Sequence, residues 1–254
     1  MGPLLSLKGV SKSYWRGPRE VKVLQDVSLD LHAGELVAVW GQRRSGKTTL
    51  LKLASGLEDP DAGAVVMSGQ DLKTLTPVRF AQVLRGHIGW AKPTGPPEDS
   101  GMSIHDYVAM PLLSSHSHRE AQRLAMNAIE KVGVPECAEQ QWGSLADSEQ
   151  ALVAVAHALV REPRVLLVDD QTTSLADLQR EEVMELLRSL AEQHDMGVLV
   201  TVPDMAEMVH AHRIRSLSSG RLLAPADPPS GSGGELIDFP GVTGRREGAG
   251  GVSA

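Results

Sequence analysis

The chain has 254 residues, enough for one large α/β domain or two small ones with a sizeable buried core. Hydrophobic residues make up 41% and charged residues 22%, an ordinary globular balance, and the net charge of −7 argues against broad nucleic-acid binding, which wants a basic face. The single cysteine, Cys137, rules out an internal disulfide and fits a reducing compartment. No apolar run approaches the ~18–20 residues of a membrane helix, and the N-terminus lacks the basic-then-apolar layout of a secretory signal. "MGPLLS" formally fits a myristoylation pattern through Gly2 and Ser6, but the pattern is permissive and Pro3 stiffens it, so we read it as chance.

The chain opens on strands and turns: "LLSLKGVSKSYW", a polar loop "RGPRE", then "VKVLQDVSLDL". Alternation puts Val27, Leu29 and Leu31 on one face, as in a half-buried antiparallel strand. Leu36 to Trp40 is apolar without alternation, as expected of a parallel strand covered on both faces. It feeds a Gly-rich loop and then "TTLLKLASGL", which has helical spacing and a stop at Gly56. From about Pro77 to Leu159 the pattern is largely helical. In "HREAQRLAMNAIEKVG", Ala121, Leu124, Ala125, Ala128, Ile129 and Val132 share a stripe that ends at Gly133. A buried strand "RVLLVD", a helix "LQREEVMELLRSLAEQH", a strand "GVLVTV" and a hairpin turning at Ser219-Gly220 follow. From Pro225 the composition shifts to Pro, Gly and Ser, which reads as a mobile tail. Alternating strands and helices imply a parallel sheet with helices on both faces, and the helical middle reads as an insertion into it.

The stretch "GQRRSGKTT" matches G-x-x-x-x-G-K-[ST] at Gly41, Gly46, Lys47 and Thr48, between a buried strand and a helix. A loop whose N–H groups point inward at the positive end of a helix dipole cradles a β-phosphate. Lys47 would reach the β- and γ-phosphates, and the Thr48 hydroxyl would join a Mg²⁺ shell. "VLLVDDQTT" then runs four apolar residues into Asp169 and Asp170, the usual end of a nucleotide-hydrolase strand.

These landmarks together resemble the nucleotide-binding subunit of an ATP-binding-cassette (ABC) transporter, from Leu5 to about Leu223. "VSKSY" puts Tyr14 where that family stacks an aromatic ring on adenine. "LQDVSLDLHAGELVAVWG" and "GLEDPDAGAVVMSGQDL" are family-like almost residue for residue. "MSIHDYVAMPLL" resembles the stretch that contacts the membrane subunit's coupling helix, and "LVREPRVLLVDD" the approach to the Walker B acids. The wording sits nearest the macrolide-exporter and lipoprotein-release branch. The resemblance implies an α/β P-loop NTPase (RecA-like) core with an N-terminal antiparallel β subdomain over residues 1–77 and 160–224. It implies an inserted α-helical subdomain over 78–159 and a flexible tail over 225–254. The cofactors would be ATP and Mg²⁺. Nucleotide binding would fall to Tyr14, Gly41, Arg44, Ser45, Gly46, Lys47, Thr48 and Thr49, and the metal to Thr48 and Asp169. The partners would be a membrane permease and a second cassette, with the chain peripheral at the cytoplasmic face of the membrane.

The family hydrolyses ATP between two cassettes facing head to tail, and here its pattern breaks at several places. Asp170 stands for the catalytic glutamate, and its shorter reach matters when a misplacement of about 1 Å costs ~10²-fold in rate. Pro93, in "IGWAKP", falls at the Q-loop glutamine. Pro203 falls at the switch histidine before Asp204, with His210 and His212 read as solvated bystanders on a helix surface. Ala176 stands where the D-loop aspartate is expected, with Asp177 one residue late. In place of the signature "LSGGQ" stands Leu145-Ala146-Asp147-Ser148-Glu149, followed by Leu152 instead of an arginine. Asp147 is expected to cap the following helix, with Gln150 completing a capping-box spacing, leaving negative charge where a phosphate should sit. Arg44 replaces a glycine; it either crowds the loop or adds positive charge, and we expect it to point to solvent. Binding kept and hydrolysis lost is the economical reading, with a heteromeric pair favoured because a homodimer would have two poor sites. The alternatives are an ABC-shaped pseudoenzyme that regulates or scaffolds a membrane complex, and a slow ATPase that uses Asp170 as its base.

Overall fold

The structure is a computed structural model and describes residues 2–92, 94–97, 100–169, 175–203 and 210–223. Strands β1 (Leu5–Arg16), β2 (Arg19–Leu31), β4 (Ala62–Met67) and β5 (Gln70–Asp71) form an antiparallel sheet in the order β2-β1-β4-β5. Strands β3 (Leu36–Trp40), β6 (Ile88–Ala91), β7 (Val165–Asp169), β8 (Gly197–Val202), β9 (Arg213–Ser218) and β10 (Arg221–Leu223) form a second sheet in the order β10-β9-β3-β8-β7-β6. All its pairings are parallel except β10 on β9. The helices are α1 (Lys47–Ala54), α2 (Pro77–His87), α3 (Ile104–Ala109), α4 (His118–Lys131), α5 (Asp147–Leu159) and α6 (Asp177–Gln193).

The larger sheet divides two cores, and the period-2 geometry of a strand explains how. Val37 and Val39 of β3, Val165 and Leu167 of β7 and Leu199 of β8 face one side. There they meet Leu50, Leu51 and Leu53 of α1 and the apolar face of β1 and β2, including Val27, Leu29 and Leu31. Leu36, Ala38, Leu166, Val168, Val198 and Val200 face the other side, against α5, α6 and the helical region. Each fully buried Val or Leu contributes ~1.5–3 kcal/mol relative to exposure, and strands apolar on both faces fit only between two covering layers. The stripe expected on α4 forms: Ala121, Ala125, Ala128 and Ile129 are buried, Leu124 is partly so, and the chain leaves the helix through Gly133 at φ +83°. Thr76, Ser103 and Ser117 cap α2, α3 and α4, accepting from Arg79, Asp106 and Glu120 N–H groups.

Three expectations need correction. "RGPRE" is not a loop, because β1 runs to Arg16 and pairs with Arg19, leaving a two-residue turn at Gly17 and Pro18. The unit expected over 78–159 does not belong to one helical body. Its β6 is the edge strand of the larger sheet, paired with β7, and Val83 of α2 packs in the same core as α1. His212 is no bystander: its Nδ1 accepts the Leu36 N–H at 2.9 Å, and its backbone N–H donates to Leu36 O at 2.9 Å, tying β9 to the start of β3. The tail beyond Leu223 lies outside the described residues.

In the helical region the imidazole of His157 stacks on the Tyr107 ring, with centroids 4.4 Å apart and planes 12° from parallel. Burial, with the Arg161 charge nearby, pushes His157 down to about 4 from its ordinary 6.5. The unfolded chain therefore binds more protons between those pH values. The contribution is fully present above about pH 6.5 and is lost as pH falls toward 4, by up to ~3 kcal/mol. Urea unfolding from pH 7.5 to 4.5 is expected to show this loss, and His157→Gln to flatten that part of the slope; an unchanged slope in the variant would refute the assignment.

Candidate functional site

The loop between β3 and α1 lies at the carboxyl end of the central strands, where open α/β sheets place their ligands. Gly46 precedes α1 at φ +108°, and a Cβ there would lie 3.0 Å from Val23 O and 3.1 Å from the Leu24 side chain, so only glycine fits without strain. No side chain caps α1, which leaves its first N–H groups turned toward the cleft. Lys47 is buried, and its Nζ donates to Gly41 O at 2.5 Å. The ammonium is thereby folded over the loop it would share with a phosphate. Tyr14, Arg44, Ser45, Gly46, Lys47, Thr48, Thr49 and Asp169 line one cleft of about 330 Å³, so the structure brings these expected site residues together. Gly41 does not line the cleft itself; it is packed beneath the loop, where a Cβ would lie 2.5 Å from Ser45 Oγ and 2.7 Å from Leu217 O.

The two residues expected to hold a metal lie side by side. Thr48 Oγ1 donates to Asp169 Oδ1 at 3.3 Å. Adjacent ligands of an octahedral Mg²⁺, with bonds of 2.0–2.1 Å, stand roughly 3 Å apart. The same Asp169 oxygen accepts from Thr201 Oγ1 at 3.1 Å. Thr201 is fully buried on β8, which pairs with β7 at Asp169. Sequence reading missed Thr201, although a lone hydroxyl in the otherwise apolar "GVLVTV" is a visible signal. It also missed Arg16 and Val23, which line the cleft beside Tyr14; alternation in "VKVL", opposite Tyr14, would have placed Val23.

Arg44 is exposed, as expected, but adopts φ +68°. A left-handed backbone at a residue with a Cβ costs roughly 1 kcal/mol, so the loop keeps a glycine-like shape without a glycine. Arg43 and Arg44 both border the cleft and add positive charge.

The signature and D-loop regions carry a different local chemistry. Asp147 does not cap α5, contrary to the sequence expectation. The extended residue before the helix is Ala146 (φ −66°, ψ 158°), so Asp147 is already the first helical residue. The cap comes from Glu149, whose Oε2 accepts the Ala146 N–H at 2.7 Å. Gln150 instead donates to Trp142 O and Leu145 O. Helix α6 repeats the device: Ala176 precedes it, Asp177 is its first residue, and Gln179 Oε1 accepts the Ala176 N–H at 3.2 Å. Gln179 Nε2 also donates to Ser148 Oγ at 3.2 Å, linking the two helix starts. Asp170, Pro93 and Asp204 lie outside the described residues. Next to Pro93, Thr94 O accepts from the Tyr107 hydroxyl at 2.8 Å. Pro203 turns its carbonyl to the Trp40 indole N–H, at 3.1 Å.

The profile of the ABC transporter family matches residues 24–173. The chain belongs to that family. It is similar to the lipoprotein-releasing system ATP-binding protein LolD of Chromohalobacter salexigens, at 35% identity over 220 residues, covering 86% of this chain and 92% of that protein. It is similar to the macrolide export ATP-binding/permease protein MacB of Photorhabdus laumondii, at 31% identity over 225 residues, covering 88% of this chain and 34% of the relative. The cassette thus spans about a third of that MacB. Among solved structures, the dimeric bacterial ABC transporter cassette MJ0796 superposes with a TM-score of 0.77 at 26% identity, covering 86% of this chain and 96% of the other. A post-hydrolysis state of the same cassette bound to ADP and Pi gives the same score. The ABC transporter ATP-binding fold and the likeness to the lipoprotein-release and macrolide-export branch are therefore findings.

Removing the left-handed strain at position 44 of the cassette is expected to stabilise it. Arg44→Gly should raise the urea unfolding free energy by at most ~0.6 kcal/mol, the ~1 kcal/mol of relieved strain less the ~0.4–1 kcal/mol that glycine costs through the unfolded chain. A fall in the urea midpoint would show that the Arg44 side chain, not the backbone, dominates.

Proposed function

We propose that this chain is the ATP-binding subunit of an ABC transporter that binds Mg-ATP, docks to a membrane permease beside a second cassette, and hydrolyses ATP poorly by itself. One contrast carries the reading. The start of α1 has Lys47 and the Thr48–Asp169 pair beside it and no carboxylate folded onto it, whereas at the start of α5 the Glu149 carboxylate is folded back onto the N–H of Ala146, with Asp147 next to it. A bare helix N-terminus favours an anion; one occupied by Glu149 and flanked by Asp147 disfavours a second. Thr48 and Asp169 would hold Mg²⁺, which would screen phosphate charge when bound.

Permease docking is supported by a second cleft of about 1010 Å³ between α2 and the segment after α3. Val78 and Leu113 are exposed near it, and Arg161 of the same cleft donates to Pro111 O. This is the neighbourhood of "MSIHDYVAMPLL". Among the described residues no helix is long and apolar enough to cross a membrane, so attachment would run through the permease at the cytoplasmic face. The second cassette is better supplied by a different chain than by a copy, because each site of a homodimer would use the altered α5 start.

Binding is tested by calorimetry with Mg-ATP: the wild-type chain binds, and Lys47→Ala loses at least about 100-fold in affinity, the scale of a charged contact to phosphate. Turnover by the isolated chain is expected to stay about 100-fold or more below that of an intact cassette. Asp170→Glu alone should not restore it, since the altered α5 start remains. Phosphate release by the wild-type chain well above that limit would support instead a competent ATPase that uses Asp170. Affinity purification from the native membrane should bring down a permease together with a second, intact cassette; recovery of a membrane complex with no second cassette would favour a regulatory pseudoenzyme.

A further inference from the structure

Tyr14 is held from the phosphate side of the cleft. Its hydroxyl donates to one carboxylate oxygen of Glu58, and the other oxygen accepts from Lys52 Nζ at 2.7 Å. Lys52 lies on α1, the helix that follows the phosphate loop. Glu58 is itself closed onto that helix, because the Leu57 and Glu58 N–H groups both donate to Lys52 O, at 3.0 and 3.3 Å. The strand that carries Tyr14 is gripped by the same turn: Ser13 N–H donates to Asp61 Oδ2 at 2.7 Å, and Lys12 Nζ to Asp59 O at 2.7 Å. Lys12 also stands 5.8 Å from the centre of the Tyr14 ring. A tyrosine beside the exposed Trp15, near the tip of a hairpin, would otherwise sample several rotamers.

We propose that Glu58 is a positioning residue for the nucleobase: it fixes the Tyr14 ring from the end of the phosphate-binding helix, so that the base and phosphate subsites form one rigid unit. The proposal rests on the ATP-binding reading above and adds the residue that preorganises its base contact. Immobilising a side chain only when the ligand arrives costs affinity, whereas a side chain fixed beforehand does not. Both carboxylate oxygens are used, so shortening or removing the side chain frees the ring and the Lys52 ammonium together.

The test compares two ligands with the full chain by calorimetry at constant Mg²⁺: ATP, and inorganic tripolyphosphate, which has the phosphates but no base. Glu58→Ala and Tyr14→Phe are each expected to weaken ATP about fivefold while changing tripolyphosphate less than about twofold. Glu58→Gln, which keeps an acceptor, should recover part of the loss. The double variant Tyr14→Phe/Glu58→Ala should be no weaker than the worse single, since both remove one interaction. Equal losses for the two ligands would assign Glu58 to the phosphate helix or to folding and overturn the proposal, as would undiminished ATP binding. A wild-type chain that binds tripolyphosphate as tightly as ATP overturns the base contact alone. One that binds neither overturns the ATP-binding reading and this inference with it.

Discussion

An α-helix begins with N–H groups that have no acceptor within the helix, and something must satisfy them. In this cassette the answer differs from helix to helix, and the differences organise the molecule. Helices α2, α3 and α4 use a Ser or Thr hydroxyl on the preceding residue. Helices α5 and α6 follow an alanine and are closed by a side chain reaching back from their third residue. Among these six helices α1 is the one that follows a left-handed glycine, with neither a side-chain cap nor a side chain reaching back onto the residue before it. Its dipole and free N–H groups are left for a ligand, and the Lys47 ammonium beside them adds to the attraction.

That bare end is usable because the surrounding layers hold it still. Strand β3 delivers the chain into the loop from a sheet buried on both sides, and α1 is pressed between that sheet and the antiparallel one. Gly46 lies against Val23 and Leu24 of β2, so the small sheet also shapes the phosphate loop. Strands β7 and β8 run parallel to β3 and bring Asp169 and Thr201 to the same edge. The loop, the Asp169 carboxylate and Tyr14 are thus parts of three separate chain segments that converge on one cleft.

The starts of α5 and α6 show the opposite solution. Both read Ala-Asp-x-Glu/Gln, and both turn a carboxylate or amide back onto the alanine N–H. Gln179 then bridges the two starts through Ser148. The acidic residues Asp147, Glu149 and Asp177 give these two helix starts a negatively charged edge. A carboxylate or amide folded back in this way steadies the helix start and, where it is charged, disfavours a second anion beside it.

Much of this was legible in the chain itself. The phosphate loop, the acid that ends β7, the two-faced apolar strands and the stripe on α4 follow from spacing and hydropathy, because those patterns reflect local geometry that each segment carries alone. The cap of α5 was misjudged by one position, since Asp147 and Glu149 are both plausible partners until the backbone fixes where the helix begins. The place of β6 was hidden because four residues between helices reveal nothing about which sheet they join. Thr201, His212 and Glu58 owe their roles to partners 32, 176 and 44 residues away. Periodicity registers neighbours one strand or one helical turn apart, so the sequence determined the elements and the phosphate-binding motif. The tertiary fold decided which distant hydroxyls, rings and carboxylates would meet there, because only packing sets distances between segments that local rules leave independent.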